Sequence, residues 1–352
     1  MIAADPQYLT SMSSLVALLL FLAASPPAPA SRAAFLQALD RPKVALEPRP
    51  AGEEREGGLV VERLTIATEK KRGGAVERVP MLVVRPAQAA GRRAAVIVLH
   101  GTGGHKESVR PWLDELAAQG IVGMAIDARY HGERAGGAKG SDAYQAAILA
   151  AWRARPGQGE HPFYYDTVWD LWRTIDYLQS RPDVDPRRIG MLGISMGGIE
   201  TWLAAAADER IAVAVPAIAV QSFAWSLEHD RWQGRAATIA SVHQAAARDL
   251  GARAVDARVC RTLWNKLIPG ILDRFDGPSM LPLIAPRPLL ILSGERDPNN
   301  PLEGARLAFA AARDAYRATP ERLKIDVAAG VAHQVTDDQQ EEALAWMVRW
   351  LR

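Results

Sequence analysis

The chain has 352 residues, 49% apolar and 23% charged, with a net charge of +2. That is enough to build one large α/β domain or two small ones, and basic residues scattered along the whole chain argue against a nucleic-acid surface. A single cysteine, Cys260, cannot form an internal disulfide, and with no CxxC or Cys/His cluster nothing in the sequence suggests zinc.

The N-terminus reads as a targeting segment. Residues 14–25, SLVALLLFLAAS, form an uncharged apolar run, and APA at 28–30 offers a small-x-small cleavage site before Ser31. The run is too short to span a bilayer comfortably, and nothing later in the chain is long and apolar enough to do so. It lacks a preceding Lys or Arg, and Met12 is an alternative start to Met1. The expectation is a signal peptide over 1–30 and export to the periplasm or beyond, or a cytoplasmic protein if the run is no signal. The Pro-, Ala-, Gly- and Glu-rich stretch 31–58 reads as a linker or N-terminal arm.

From Leu59 onward strands and helices alternate. LVVERLTIAT (59–68) and VERVPMLVVRP (76–86) predict two strands of a meander. AAVIVLHG (94–101) and IVGMAID (121–127) are continuous apolar runs suited to strands buried on both faces, with a helix from Pro111 to Gln119 between them. Residues 132–163 are irregular apart from a helical patch at DAYQAAILAAW. Val168, Trp172 and Ile175 then recur at helical spacing, with Asp166 or Thr167 as the cap. RIGMLGIS (188–195) predicts a strand, GGIETWLAAAA (197–207) a helix and IAVAVPAIA (211–219) another strand. The alternation stops over 220–285, which reads as a helical insert. It resumes with a strand at 287–297, a helix with Asn300 as N-cap and Pro301 at its first position, a strand at 322–329 and a closing helix capped by Thr336. Repeated βα units imply a mostly parallel sheet with helices on both faces, whose ligands bind beyond the carboxyl ends of the strands.

Three stretches carry chemistry. Gly193-Ile194-Ser195-Met196-Gly197 joins a strand to a helix. A serine on so sharp a turn projects its Oγ above the sheet, and small residues two before and two after let the flanking backbones pass closely. Ser195 is the candidate nucleophile. HGTGG (100–104) follows a buried strand and can present backbone N–H groups to a developing oxyanion. Thr102 and Met196 are the expected donors, with Gly103 the alternative for the first; a phosphate loop is excluded because the GxxxxGK[ST] spacing is absent. The base in this topology follows the acid late in the chain. His333, in the loop GVAHQVT before the last helix, is the only one of seven histidines so placed. Asp297, just past strand residues 289–293, is the expected acid, with Glu295 as its competitor.

Taken in order, HGTGG, DARYHGER (127–134), GISMGG, SGERDPNNP and GVAHQ resemble the α/β-hydrolases, close to the dienelactone-hydrolase-like and acetylxylan-esterase-like groups, over roughly residues 59–352. The resemblance implies an α/β-hydrolase fold: a mostly parallel central sheet of about eight strands, helices on both faces and a helical cap insertion. It implies a cofactor-independent Ser–His–Asp hydrolase, with Asp127 and His131 structural rather than catalytic. Typical dienelactone hydrolases are smaller and use a cysteine nucleophile, so Ser195 points to ester hydrolysis. A serine peptidase of the prolyl-oligopeptidase-like type and an acyltransferase are the alternatives. The expected partner is a small-molecule ester, with no metal, no cofactor and no nucleic acid. Within the insert, Phe223, Trp225, Trp232 and Trp264 could line an acyl pocket or form the core of the cap itself; Arg231 and Arg235 could receive an acidic group or be solvated surface. Gly103 and the aromatic pair Phe223 and Trp225 are the candidate substrate contacts.

Overall fold

Nine segments among the described residues pair into one sheet: β1 (Arg49–Glu56), β2 (Leu59–Lys70), β3 (Val76–Pro86), β4 (Arg93–Leu99), β5 (Val122–Ile126), β6 (Val184–Ile194), β7 (Ile211–Ala217), β8 (Leu289–Gly294) and β9 (Leu323–Ala328). Their spatial order is β1-β2-β3-β5-β4-β6-β7-β8-β9. The pairs from β1 to β5 along the first edge are antiparallel, and every pair from β5 through β4 to β9 is parallel. The computed structural model describes residues 31–352 except 89, 90 and 156, so the expected signal segment lies outside the described residues.

The helices are α1 (Arg32–Leu39), α2 (Arg110–Ala118), α3 (Asp142–Arg153), α4 (Tyr165–Ser180), α5 (Met196–Ala207), α6 (Phe223–Glu228), α7 (Gln233–Ala237), α8 (Ala240–Asp249), α9 (Ala257–Leu267), α10 (Gly277–Met280), α11 (Leu302–Arg313) and α12 (Asp337–Leu351). Successive strand residues face opposite sides of a sheet, and β4 shows how this makes two cores. Val96 and Val98 join the apolar cluster under α2 and α12, while Ile97 and Leu99 join the larger one under α4 and α5. Covered on both faces, β4 is fully buried beyond Arg93, which is why its sequence reads as a continuous apolar run rather than an alternating one. This is the α/β-hydrolase fold. Because β4 to β9 run parallel, the loops leaving their carboxyl ends gather at one edge.

The stretch read as a linker is instead built into the fold. Ser31 caps α1 by accepting a hydrogen bond from Ala34 N at 3.0 Å. Phe35 of α1 is fully buried, packed edge-on against Phe275 at 4.9 Å and Tyr165 at 5.4 Å. β1 supplies the ninth strand. All its residues are exposed, so it has no apolar pattern to read; backbone pairing with β2 holds it, with ion pairs from Glu54 to Arg63 and from Glu56 to Arg110 at its surface.

The insert after β7 is helical, α6 to α10, with α8 and α9 separated by a break at Gly251, which takes φ 66°. Two expected caps also differ. α4 starts at Tyr165, because Asp166 accepts from the His161 backbone N–H and Thr167 accepts from that of Arg129. α11 starts at Leu302, and the Asn300 side chain is occupied elsewhere, as described below. In each case the expected capping side chain is hydrogen-bonded away from the helix start.

Phe35→Ala should destabilise the protein by about 3–5 kcal/mol, the usual cost of emptying a buried phenylalanine site. Urea unfolding checks this; a change near that of a surface substitution, within about 0.5 kcal/mol, would show that α1 is not integral to the core.

Candidate active site

Ser195 sits where β6 ends and α5 begins, at φ 55° and ψ −112°. A side chain at positive φ outside the left-handed helical well is strained, and it persists only if its surroundings over-determine it. They do. The Ser195 N–H donates to Ala217 O of β7 at 2.9 Å, and the Ser195 carbonyl accepts from Ile199 N in the first turn of α5 at 3.0 Å. Three glycines make the turn possible. A Cβ on Gly193 would lie 2.1 Å from Gly197 O, one on Gly197 would lie 2.5 Å from the Leu99 Cβ, and one on Gly198 would lie 2.4 Å from the Ala219 Cβ.

The structure brings Ser195, His333 and Asp297 together from the ends of β6, β9 and β8. His333 Nε2 is 2.8 Å from Ser195 Oγ, and His333 Nδ1 is 2.8 Å from Asp297 Oδ2. The ionised carboxylate can only accept, so Nδ1 carries the proton and the Nε2 lone pair faces the serine hydroxyl. Burial pushes the Asp297 carboxyl up, but the hydrogen bond and charge of His333, then the N–H groups of Asn299 and Asn300, outweigh it and hold the group below the ordinary carboxylate value. Its Oδ1 takes those N–H groups at 2.8 and 3.1 Å. Glu295, the competing acid, is exposed and accepts from Gly330 N instead. The acid turn and the histidine loop cross at Gly294, where a Cβ would lie 2.1 Å from Ala332 O.

The loop after β4 approaches the elbow from the other side: a Cβ on Gly101 would lie 3.5 Å from the Ser195 Cβ. His100 shapes this loop. Its Nε2 must accept, because Ala128 N–H donates to it at 3.2 Å, so Nδ1 bears the hydrogen and donates to Gly101 O at 2.8 Å. Desolvation, helped by the neighbouring His131, lowers the His100 pKa to about 4, so the ring stays neutral. Gly101 O also accepts from Gly104 N at 3.0 Å, closing the turn. The N–H groups of Thr102, Gly103 and Met196 have no acceptor among the described residues. Gly103 adopts φ +81° and packs against Gly140 and Ser141.

The stretch 127–134 clamps this edge together. Asp127 accepts from the Lys106 backbone and side chain and from Glu133 N, tying two loops to the end of β5. Arg129, 1% exposed, forks onto Asp170 of α4 at 2.6 and 3.0 Å. Arg134 reaches both Asp170 and Glu77. His131 is fully buried, its Nδ1 paired with Arg129 O at 2.8 Å. None of these side chains hydrogen-bonds to the Ser195 or His333 side chain among the described residues.

In the insert, Phe223 is enclosed rather than lining an open wall: it is fully buried and meets Trp264 edge-on at 5.6 Å. Trp264 is also buried and donates to His243 Nε2 at 3.1 Å. Trp225 is half-buried and stacks on His229 with ring centroids 4.3 Å apart. Arg231 is half-exposed near Glu303. Arg235, read as a possible solvated residue, is 1% exposed and donates to Asn300 Oδ1. Asn300 donates to Ile218 O at 2.6 Å and to Asp297 Oδ2 at 3.3 Å. Sequence reasoning missed Asn300 because an Asn before Pro in front of a helix reads as a cap; its place three residues after the acid is the only signal. Among the described residues no group of three or more His, Cys, Asp or Glu is placed to hold a metal ion, and no helix is long and apolar enough to cross a membrane.

Comparison with known proteins gives the following. Residues 90–259 match the serine aminopeptidase, S33, family. The putative hydrolase YtaP of Bacillus subtilis (strain 168) is 27% identical over 304 residues, 78% of this chain and 84% of that protein. Acetyl xylan esterase 1 from Thermoanaerobacterium sp. JW/SL YS485 superposes with a TM-score of 0.67 at 18% identity, covering 92% of this chain and 95% of that one. A glucuronoyl esterase from Solibacter usitatus superposes with a TM-score of 0.59 at 19% identity, covering 91% and 92%. At such identities the solved structures share the fold.

One buried carboxyl stands apart from these hydrogen-bond systems. Glu200, on the second turn of α5, is 1% exposed, and neither of its oxygens has a hydrogen-bond partner among the described residues. Burial pushes its pKa well above the ordinary 4.5. The folded state thus keeps a proton that the unfolded chain releases, so this group's contribution to stability falls as pH rises from about 4.5 through the folded value. Glu200→Gln should flatten that fall. Urea midpoints for both proteins at intervals from about pH 5 to 8 check it, and parallel curves would contradict it.

Proposed function

We propose that this α/β-hydrolase is a serine hydrolase of carboxylic esters, working through an acyl intermediate on Ser195. The observation that carries the reading is His333, which bridges Ser195 Oγ and Asp297 Oδ2 at 2.8 Å each, with the serine held on a strained strand-to-helix turn.

As Ser195 Oγ attacks the ester carbonyl, His333 Nε2 takes its proton, and Asp297 stabilises the imidazolium that forms. The carbonyl oxygen becomes an oxyanion. The unpartnered N–H groups of Met196 and Thr102, with Gly103 beside it, are the donors that receive it; the start of α5 adds the favourable end of its dipole. Collapse breaks the ester C–O bond, and His333 returns the proton to the departing alcohol. Water, deprotonated by the same imidazole, then attacks the acyl carbon and releases Ser195 and a carboxylic acid. No step needs a metal or cofactor.

The solved neighbours are named for acetyl xylan and glucuronoyl esters, which makes acetylated and uronoyl sugars the first substrates to assay. Trp225, half-buried on α6, is the insert's candidate for the acyl or alcohol wall. The matched family's description favours a second reading, cleavage of an aminoacyl bond by the same residues. Both readings need the same nucleophile, so substrate preference separates them.

A fluorophosphonate should label the protein, and Ser195→Ala should abolish the labelling. Ser195→Ala and His333→Ala should each lower nitrophenyl ester turnover by about 10³-fold or more. Labelling that survives Ser195→Ala overturns the assignment. Faster cleavage of aminoacyl anilides than of esters moves the protein to the peptidase reading.

A further inference from the structure

Resting on that assignment of Asp297 and His333, we infer that Arg235, carried by the insert, is a positioning residue for the catalytic acid and acts through the amide of Asn300. The insert is therefore part of the triad's support.

Arg235 lies on α7, a short helix between β7 and β8 in sequence. It is 1% exposed, yet no carboxylate lies within ion-pair distance of it among the described residues. A buried guanidinium without a direct counter-charge is costly to keep, so its surroundings should show what it serves. Two contacts stand out. Its Nη2 donates to Asn300 Oδ1 at 2.5 Å, and its Nη1 lies 3.4 Å from the Tyr164 hydroxyl. The nearest negative charge along these hydrogen bonds is Asp297, one amide away.

Asn300 is suited to carry that link. Both of its N–H bonds are used, one to Ile218 O at 2.6 Å and one to Asp297 Oδ2 at 3.3 Å. Asp297 Oδ2 is the same oxygen that holds His333 Nδ1. With two acceptors facing the amide nitrogen, its oxygen must face a donor, and Arg235 is that donor. A cation on the amide oxygen polarises the amide and strengthens the N–H bonds at its other end. The chain of contacts runs Arg235, Asn300, Asp297, His333, Ser195 without a break.

The backbone supports the same conclusion. A Cβ on Gly234 would lie 2.0 Å from Pro298 O and 2.9 Å from Asn299 N. The helix carrying Arg235 therefore rests directly on the turn between Asp297 and Asn300. Asn300 in turn is hydrogen-bonded to the backbone just after β7, the strand whose Ala217 O holds the Ser195 N–H. Seating α7 thus places Arg235 and steadies the acid turn together.

The test uses the full chain with nitrophenyl acetate, and fluorophosphonate labelling as a second readout. Arg235→Met should lower kcat by about 10- to 100-fold, the scale of a misplaced catalytic group, with KM within about two-fold. Arg235→Lys, which keeps a charge and a donor, should recover at least half of that loss on a logarithmic scale. Combining Arg235→Met with Asn300→Ala should cost no more than Asn300→Ala alone, because the two act in series. A rise in KM at unchanged kcat would make Arg235 a substrate contact and overturn the inference. So would fully additive losses, or an equal loss in the lysine variant. If Arg235→Met does not fold, Asn300→Ala sets the reference: an Arg235→Lys loss in kcat no more than half of the Asn300→Ala loss on a logarithmic scale supports the inference, and an equal loss, or a rise in KM at unchanged kcat, overturns it. Wild-type protein that fails to label at Ser195 would instead sink the proposed function.

Discussion

Everything at the carboxyl edge of the sheet depends on one strained residue. Ser195 is held at φ 55° and ψ −112° because the end of β6 must turn at once into α5. The turn is possible only where Gly193, Gly197 and Gly198 remove the side chains that would strike Gly197 O, the Leu99 Cβ and the Ala219 Cβ. The cost of that conformation is met by the packed surroundings: α5 is buried along its whole length between the sheet and α4. The same compression aims the hydroxyl out of the sheet and leaves the Met196 N–H free at the start of a helix. Strain, packing and chemistry are one arrangement here.

Charge is handled differently on the two sides of that serine. On the side of the 127–134 loop, carboxylates and cationic side chains pair directly: Asp170 takes both Arg129 and Arg134, and Lys106 is held by Asp127. These pairs bind the loops after β4 and β5 to α4, and burial beside them lowers the pKa of both His100 and His131. On the acid side, Asp297 has no guanidinium in direct contact among the described residues. It has His333, two backbone N–H groups and the Asn300 amide. An arginine bonded directly to Asp297 would compete with the imidazolium for its charge. Placing Arg235 beyond an intervening amide keeps the orienting effect and leaves the carboxylate available to His333.

How much of this the sequence discloses depends on how local each feature is. Ser195 is legible because its constraints, a strand before it and small residues around it, lie within a few positions. Asp297 and His333 are legible because the topology orders them, and the buried strands β4, β5, β8 and the second half of β6 because their side chains are mostly apolar on both faces. β1 is not legible: its residues are all exposed, and what holds it is a backbone ladder with surface ion pairs, not buried apolar side chains. The N-terminal arm hides α1 for a related reason, since one phenylalanine inserted among Tyr165, Trp172 and Phe275 leaves no periodic trace. Asn300 and Arg235 lie 65 positions apart and meet only in three dimensions. Read alone, Asn300 is a helix cap and Arg235 a surface charge; the structure makes both part of the acid's setting.

The central claim is that acyl transfer passes through Ser195. The most direct measurement is rapid acid quenching of the protein with a nitrophenyl ester, followed by peptide mass analysis. The account predicts an acyl adduct confined to the peptide containing Ser195, appearing with the first equivalent of nitrophenol and decaying as the ester is consumed. Ester turnover with no adduct on that peptide at any quench time, or with the adduct on another residue, would contradict it.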